Sequence, residues 1–143
     1  MYRKVFLDAN ILVDVYDLNR PFSLYSQKAL TTLLQDKEVK LFTSCDIITT
    51  IYYLRARDNK VEALDNIIQI SEFCHIIEFG NIEVTKSCRL MKQNSKFVDL
   101  ENTIQYVMAK KIKANLILSN DRGFVSDGIP LMSTEEFCEE MEI

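Results

Sequence analysis

Glycine and proline are scarce in this 143-residue chain, at three and two residues, and histidine occurs once. So few backbone breakers leave no room for long structureless linkers, and no repeat or low-complexity segment is visible. The length fits one domain, residues 1–143, around a single core. No apolar run approaches the roughly 20 residues that span a bilayer. The opening Met1-Tyr2-Arg3-Lys4 leads into a run too short and too acidic for a secretion signal. The expectation is a cytoplasmic protein with no membrane segment. The four cysteines (Cys45, Cys74, Cys88 and Cys138) include no CxxC pair, and His75 has only Cys74 beside it. Zinc needs clustered thiolates and imidazoles, so a zinc site is not expected. Free, mostly buried thiols in a reducing compartment are the expectation.

Positive charge is not in excess either. The net charge is −4, which argues against a strongly basic nucleic-acid binder. The imbalance is local, however. Residues 134–143 carry five glutamates and no base; without them 17 basic residues face 16 acidic ones, a balance of +1. The charge count therefore neither excludes nor predicts a nucleic-acid substrate.

What is present is organised around Val5-Phe6-Leu7-Asp8. A short apolar β-rich run closed by an acid, followed by a helical pattern, delivers a carboxylate to the C-terminal end of a buried strand. Further strands are predicted at Val39–Thr43, His75–Phe79, Leu116–Leu118 and, weakly, Ile129–Met132. Between them, helical periodicity covers Ile11–Leu18, a stretch capped by Ser23, a stretch after Ser44 or Asp46, Val61–Phe73, Ile82–Lys92 and a longer run from near Phe97. Ser133 and Glu136 form a capping box for a last, acidic helix. Alternating strands and helices predict an α/β fold, a central parallel sheet of about five strands covered on both faces.

Ligands bind at the C-terminal ends of such strands, so acids arriving there matter most. Asp8 ends the first strand and Asn120-Asp121 follow the fourth. Asp99 lies at the start of the long helix, and a spacing of three puts Asn102 on its face. An oxygen-only cluster suits Mg²⁺ or Mn²⁺ rather than zinc or copper. Such an ion relieves repulsion between close acids, acidifies a water ligand and stabilises charge on a phosphoryl oxygen. That chemistry needs no histidine or cysteine. Each acid alone has an ordinary alternative: Asp99 complements a helix dipole, and Asn120-Asp121 makes a turn.

Three segments, Leu7-Asp8-Ala9-Asn10-Ile11-Leu12, Phe97-Val98-Asp99-Leu100-Glu101-Asn102-Thr103-Ile104-Gln105 and Ile117-Leu118-Ser119-Asn120-Asp121-Arg122-Gly123-Phe124, together resemble the PIN domain family. The closing Ile129–Phe137 resembles that family's last strand and helix. The resemblance implies a three-layer α/β/α sandwich, a metal-dependent ribonuclease and kinship with VapC-type toxins. It implies catalytic and metal-holding roles for Asp8, Asp99 and Asp121, with Asn10, Thr50, Asn102, Ser119 and Asn120 in support. It also implies RNA as substrate, a small antitoxin protein as partner and homodimer formation. Two positions depart from the family pattern. The second acid of its acid-x-x-acid helix is the amide Asn102, and a glutamate expected after the second strand is replaced by Thr49 or Thr50, with Asp46 a turn earlier. Each loss of negative charge lowers affinity for a dication.

Two further function classes follow from the same residues. One is a catalytically weakened or inactive PIN-fold module that binds nucleic acid or protein. The other, a phosphotransferase of the haloacid dehalogenase type, needs a second aspartate two positions after the first, where Asn10 stands. For substrate contacts there are two basic runs, Arg55/Arg57/Lys60 and Lys110/Lys111/Lys113, either of which could neutralise RNA phosphates. Tyr52, Tyr53 and Tyr106 are candidates for base stacking, although their helical spacing also suits packing.

Overall fold

A computed structural model describes residues 1–143. Five parallel strands form one sheet: β1 (Lys4–Leu7), β2 (Lys40–Ser44), β3 (Cys74–Ile77), β4 (Leu116–Leu118) and β5 (Leu131–Met132), in the order β3-β2-β1-β4-β5. The helices are α1 (Ala9–Tyr16), α2 (Ser23–Gln35), α3 (Ile48–Ala56), α4 (Lys60–Phe73), α5 (Asn81–Gln93), α6 (Leu100–Lys111) and α7 (Thr134–Met141). A 3₁₀ turn at Cys45–Ile47 leads into α3.

Side-chain alternation along the strands sorts the core into two layers. Val5, Leu7, Leu41, Leu116 and Leu118 pack toward one face with Ile11, Leu12, Leu30, Leu33, Ile51, Ile70 and Phe137, which come from α1, α2, α3, α4 and α7. Phe6 and Ile117 point the other way, onto Tyr106, Val107, Met108 and Ala109 of α6, with Leu90 and Met91 of α5 at the margin. The result is a three-layer α/β/α sandwich. Full burial of a side chain such as Phe6 or Leu118 stabilises the fold by about 1.5–3 kcal/mol.

The strand order fixes where a site can form. From β1 the chain first builds outward through β2 and β3, then returns to add β4 and β5 on the other side. The order therefore reverses between β1 and β4, and a crevice opens at their C-terminal ends. Phe6 pairs with Ile117 and Leu7 with Leu118, so Asp8 and Ser119 leave the sheet side by side.

Local differences from the sequence reading have identifiable causes. Phe22, not Ser23, caps α2, because the Phe22 carbonyl already accepts the first helical bond from the Ser26 N–H; the Ser23 hydroxyl instead accepts from Gln27. The long helix begins at Leu100 rather than near Phe97, which is buried in the second core layer. Cys45 and Cys88 are exposed and only Cys74 and Cys138 are buried, so the thiols are free but not mostly buried. The Ser133–Glu136 capping box forms in full. No helix is long and apolar enough to cross a membrane.

Candidate metal-dependent active site

Asp8 is the N-cap of α1, and its buried carboxylate is held from three sides. Oδ1 accepts from the Ala9 N–H at 2.8 Å. Oδ2 accepts from the Ser119 hydroxyl at 2.7 Å and the Asn10 amide at 3.1 Å. Burial raises the Asp8 pKa above the ordinary aspartate value; the Ser119 and Ala9 hydrogen bonds oppose that rise, and the Asp121 charge adds to it. A desolvated carboxylate that feels a second one makes this cluster a candidate functional site.

Asp121 follows β4 and is exposed. The Ser119 hydroxyl accepts from its backbone N–H at 3.1 Å, so Ser119 bridges the two acids. The Asp121 carboxylate accepts from the Gly123 N–H at 2.8 Å (Oδ1) and from the Asn102 amide at 3.0 Å (Oδ2). Glycine at 123 has a local reason: a Cβ there would stand 3.3 Å from Asp121 Oδ1.

Asp99 reaches the same neighbourhood in another capacity. It is the N-cap of α6, and its Oδ1 accepts from the Asn102 N–H at 2.8 Å. It lines a shallow depression with Asn102 and Gly123. No three acidic, histidine or cysteine side chains stand close enough to share an ion; Asp121 is linked to Asp8 through Ser119 and to Asp99 through Asn102.

The supporting residues divide. Asn10 and Ser119 hold Asp8, and Asn102 holds Asp121. Asn120 turns its side chain away. Its amide donates to Asp14 (2.8 Å) and Ser26 (3.1 Å), and its carbonyl accepts from the backbone and hydroxyl of Thr134. Asp14, buried, also accepts from Arg20 at 2.6 Å, so this second network staples α1, α2, β4 and α7 together. Thr50 is half-buried on α3 and takes no part in either network. On the β2 side, Asp46 accepts from the Ser44 hydroxyl and, at 2.8 Å, from the amide of Gln105, whose buried carbonyl oxygen has no partner. Gln105 lies three residues beyond Asn102, so one face of α6 sends an amide to each flank of β1. That i, i+3 amide pair is the sequence signal for Gln105.

The donor set fits a hydrated dication. Mg²⁺ is commonly held by one or two carboxylates plus waters and substrate phosphates, and Asp8 with Asp121 supplies two carboxylates and no softer atom.

The PIN domain family profile matches residues 4–123. Ribonuclease VapC1 of Aquifex aeolicus (strain VF5) is 46% identical over 136 residues, covering 95% of this chain and 94% of that protein. Among solved structures, VapBC2 from Rickettsia felis, bound to a DNA fragment from its promoter, superimposes with a TM-score of 0.69. It is 13% identical and covers 91% of this chain and 98% of its own. VapC20 from Mycobacterium tuberculosis, a sarcin-ricin-loop-cleaving toxin, gives 0.67 at 11% identity, covering 86% and 98%. These structural likenesses bear on the fold alone. Sequence profile, relative and fold agree: the chain belongs to the PIN domain family.

Proposed function

We propose that this chain is a single-domain endoribonuclease that hydrolyses RNA phosphodiester bonds with Mg²⁺ or Mn²⁺ and acts in the cytoplasm as the toxin of a toxin–antitoxin pair. The observation that carries this reading is the Asp8–Asp121 pair at the crevice between β1 and β4, on a chain 46% identical to a ribonuclease. A small antitoxin protein and a second copy of the chain are the partners. The four free thiols suit a reducing compartment.

In this reading Asp8 and Asp121 hold the ion. A divalent cation there supplies an acidified water and offsets charge building on a phosphoryl oxygen. Ser119 and Asn10 fix the rotamer of Asp8, so its oxygens are presented without reorganisation. Asn102 and the Gly123 N–H do the same for Asp121. Asp99 is a positioning residue, setting the start of α6 and thereby Asn102.

A second reading is a weakened or inactive binding module. It is favoured by the amide at 102 and by the lack of a three-carboxylate group. The test is cleavage of a structured RNA in Mg²⁺ or Mn²⁺. Cleavage that stops in EDTA and in Asp8→Asn supports the nuclease; cleavage that persists in either removes it. Calorimetry with Mn²⁺ separates the two readings, since the module predicts no site of useful affinity.

A further inference from the structure

Each of the two basic runs commits one residue to structure and leaves others exposed. Arg55 is buried, with its guanidinium on Asn66 (3.3 Å) and Asp58 (3.5 Å). The other run leads into a groove of about 480 Å³ between α5 and α6. Lys86 and Arg89 line it from α5, Lys110 and Lys111 from α6. Lys111 is committed to the Glu78 carbonyl (2.8 Å) and to Glu83 (3.3 Å). Lys86, Arg89 and Lys110 are exposed and none makes an ion pair. Apart from Glu83, the only acid on the groove wall is Asp127. Lys86 and Arg89 also border a neighbouring hollow of about 300 Å³, so they form a ridge between two depressions. In a chain of net charge −4, four cations against the two acids Glu83 and Asp127 around one concavity, with Lys110 also over the Tyr106 ring at 5.9 Å, make a local positive potential that attracts anions.

The groove and the acidic crevice share helix α6, the crevice at its start and the groove toward its end, where Ile112 contacts Lys4 at the start of β1. Asn102 and Lys110 are on the same helix, eight residues or about 12 Å apart. The segment that begins with Ser119 and Asp121 reaches the groove wall at Asp127, whose carbonyl accepts from the Tyr106 hydroxyl. A polyanion that reaches both places has to run the length of α6. An RNA strand, with a phosphate every few ångströms, spans that distance in a few nucleotides.

We infer that the α5–α6 groove binds a stretch of the phosphate backbone of the RNA substrate away from the acidic crevice, through Lys86, Arg89 and Lys110. The inference rests on the ribonuclease reading for the identity of the polyanion. It assigns no base contacts, because the cations recognise phosphate alone.

The test is equilibrium binding of a short fluorescent single-stranded RNA to the full chain in EDTA, followed from about 50 to 200 mM salt. Lys86→Ala/Arg89→Ala/Lys110→Ala should weaken binding at low salt about tenfold or more and flatten the salt dependence by about two, at roughly 0.7 per lost phosphate contact. A control variant, Arg57→Ala/Lys60→Ala, should retain the parent slope. Circular dichroism melting confirms that both variants fold. Unchanged binding in the groove variant overturns the inference, as do equal losses in both variants or no RNA binding by the parent. Polyglutamate held as tightly as RNA, and released by the groove variant, also overturns it, in favour of an acidic protein occupant. Cleavage with Mn²⁺ is scored separately. A parent that binds RNA through the groove without cutting it keeps the groove and loses the nuclease; a parent that cuts RNA with the groove variant binding normally does the reverse.

Discussion

The side-chain amide of Asn102 donates to Asp121 Oδ2 at 3.0 Å, at a position where the family pattern has a second acid. The amide holds Asp121 in place without adding charge. Asn102→Asp adds a carboxylate beside the Asp8–Asp121 pair. Mn²⁺ affinity should then rise about tenfold, roughly 1.4 kcal/mol, by calorimetry. An unchanged or weaker Kd would show that the amide sits outside the ion's reach.

Asp8 gives a pH signature whose sign is fixed. Its folded pKa is raised, chiefly by burial, while the unfolded value stays near about 3.9. Between the two values the folded state binds the extra proton, so the stability of the metal-free protein falls as pH rises through that window. Above the folded pKa the loss is complete. In Asp8→Asn that dependence should be absent. Melting curves in EDTA across the acid range check this; parallel pH profiles for parent and variant would contradict it.

Gly123 leaves Asp121 the space it occupies, since a Cβ there would stand 3.3 Å from Oδ1. Gly123→Ala should displace the carboxylate by a few tenths of an ångström. The expected result is several-fold slower RNA cleavage with little change in melting temperature, because the residue is exposed. Full activity would mean that Asp121 tolerates the shift.

Asn120 is a structural residue by its partners. Asn120→Ala strips hydrogen bonds from Asp14, Ser26 and Thr134, groups that are buried. A loss of about 2–3 kcal/mol is expected in denaturant titrations. Mn²⁺ affinity of the folded variant should stay within about twofold, since no Asn120 side-chain atom touches Asp8 or Asp121. A selective loss of metal binding would reassign it to the site.

Much of this architecture was legible from residue order. The apolar run Val5–Leu7 closed by Asp8, and the matching run Leu116–Leu118 before Ser119, announce two buried parallel strands whose ends carry the polar groups. The sandwich and five strands follow from their alternation with helices. What one-dimensional pattern could not resolve is how each polar side chain is used. Asp99 and Asn102 share a helix face, but the same spacing serves capping and ion binding. Asn120 and Asp121 are adjacent, yet one turns toward Asp14 and the other toward Asn102, a choice set by tertiary packing. The two basic runs look alike in sequence; only the second borders a groove, into which Lys110 and Lys111 project beside Lys86 and Arg89.

The most direct measurement is Mn²⁺ calorimetry on the parent chain and on Asp8→Asn, Asp121→Asn and Asp99→Asn, the last of which keeps the helix cap. One Mn²⁺ site in the parent, weakened about tenfold or more in the first two variants and within about twofold in the third, is the expected result. Binding that survives loss of Asp8 and Asp121, or that disappears only with Asp99, would contradict an ion held by the pair at the β1–β4 crevice.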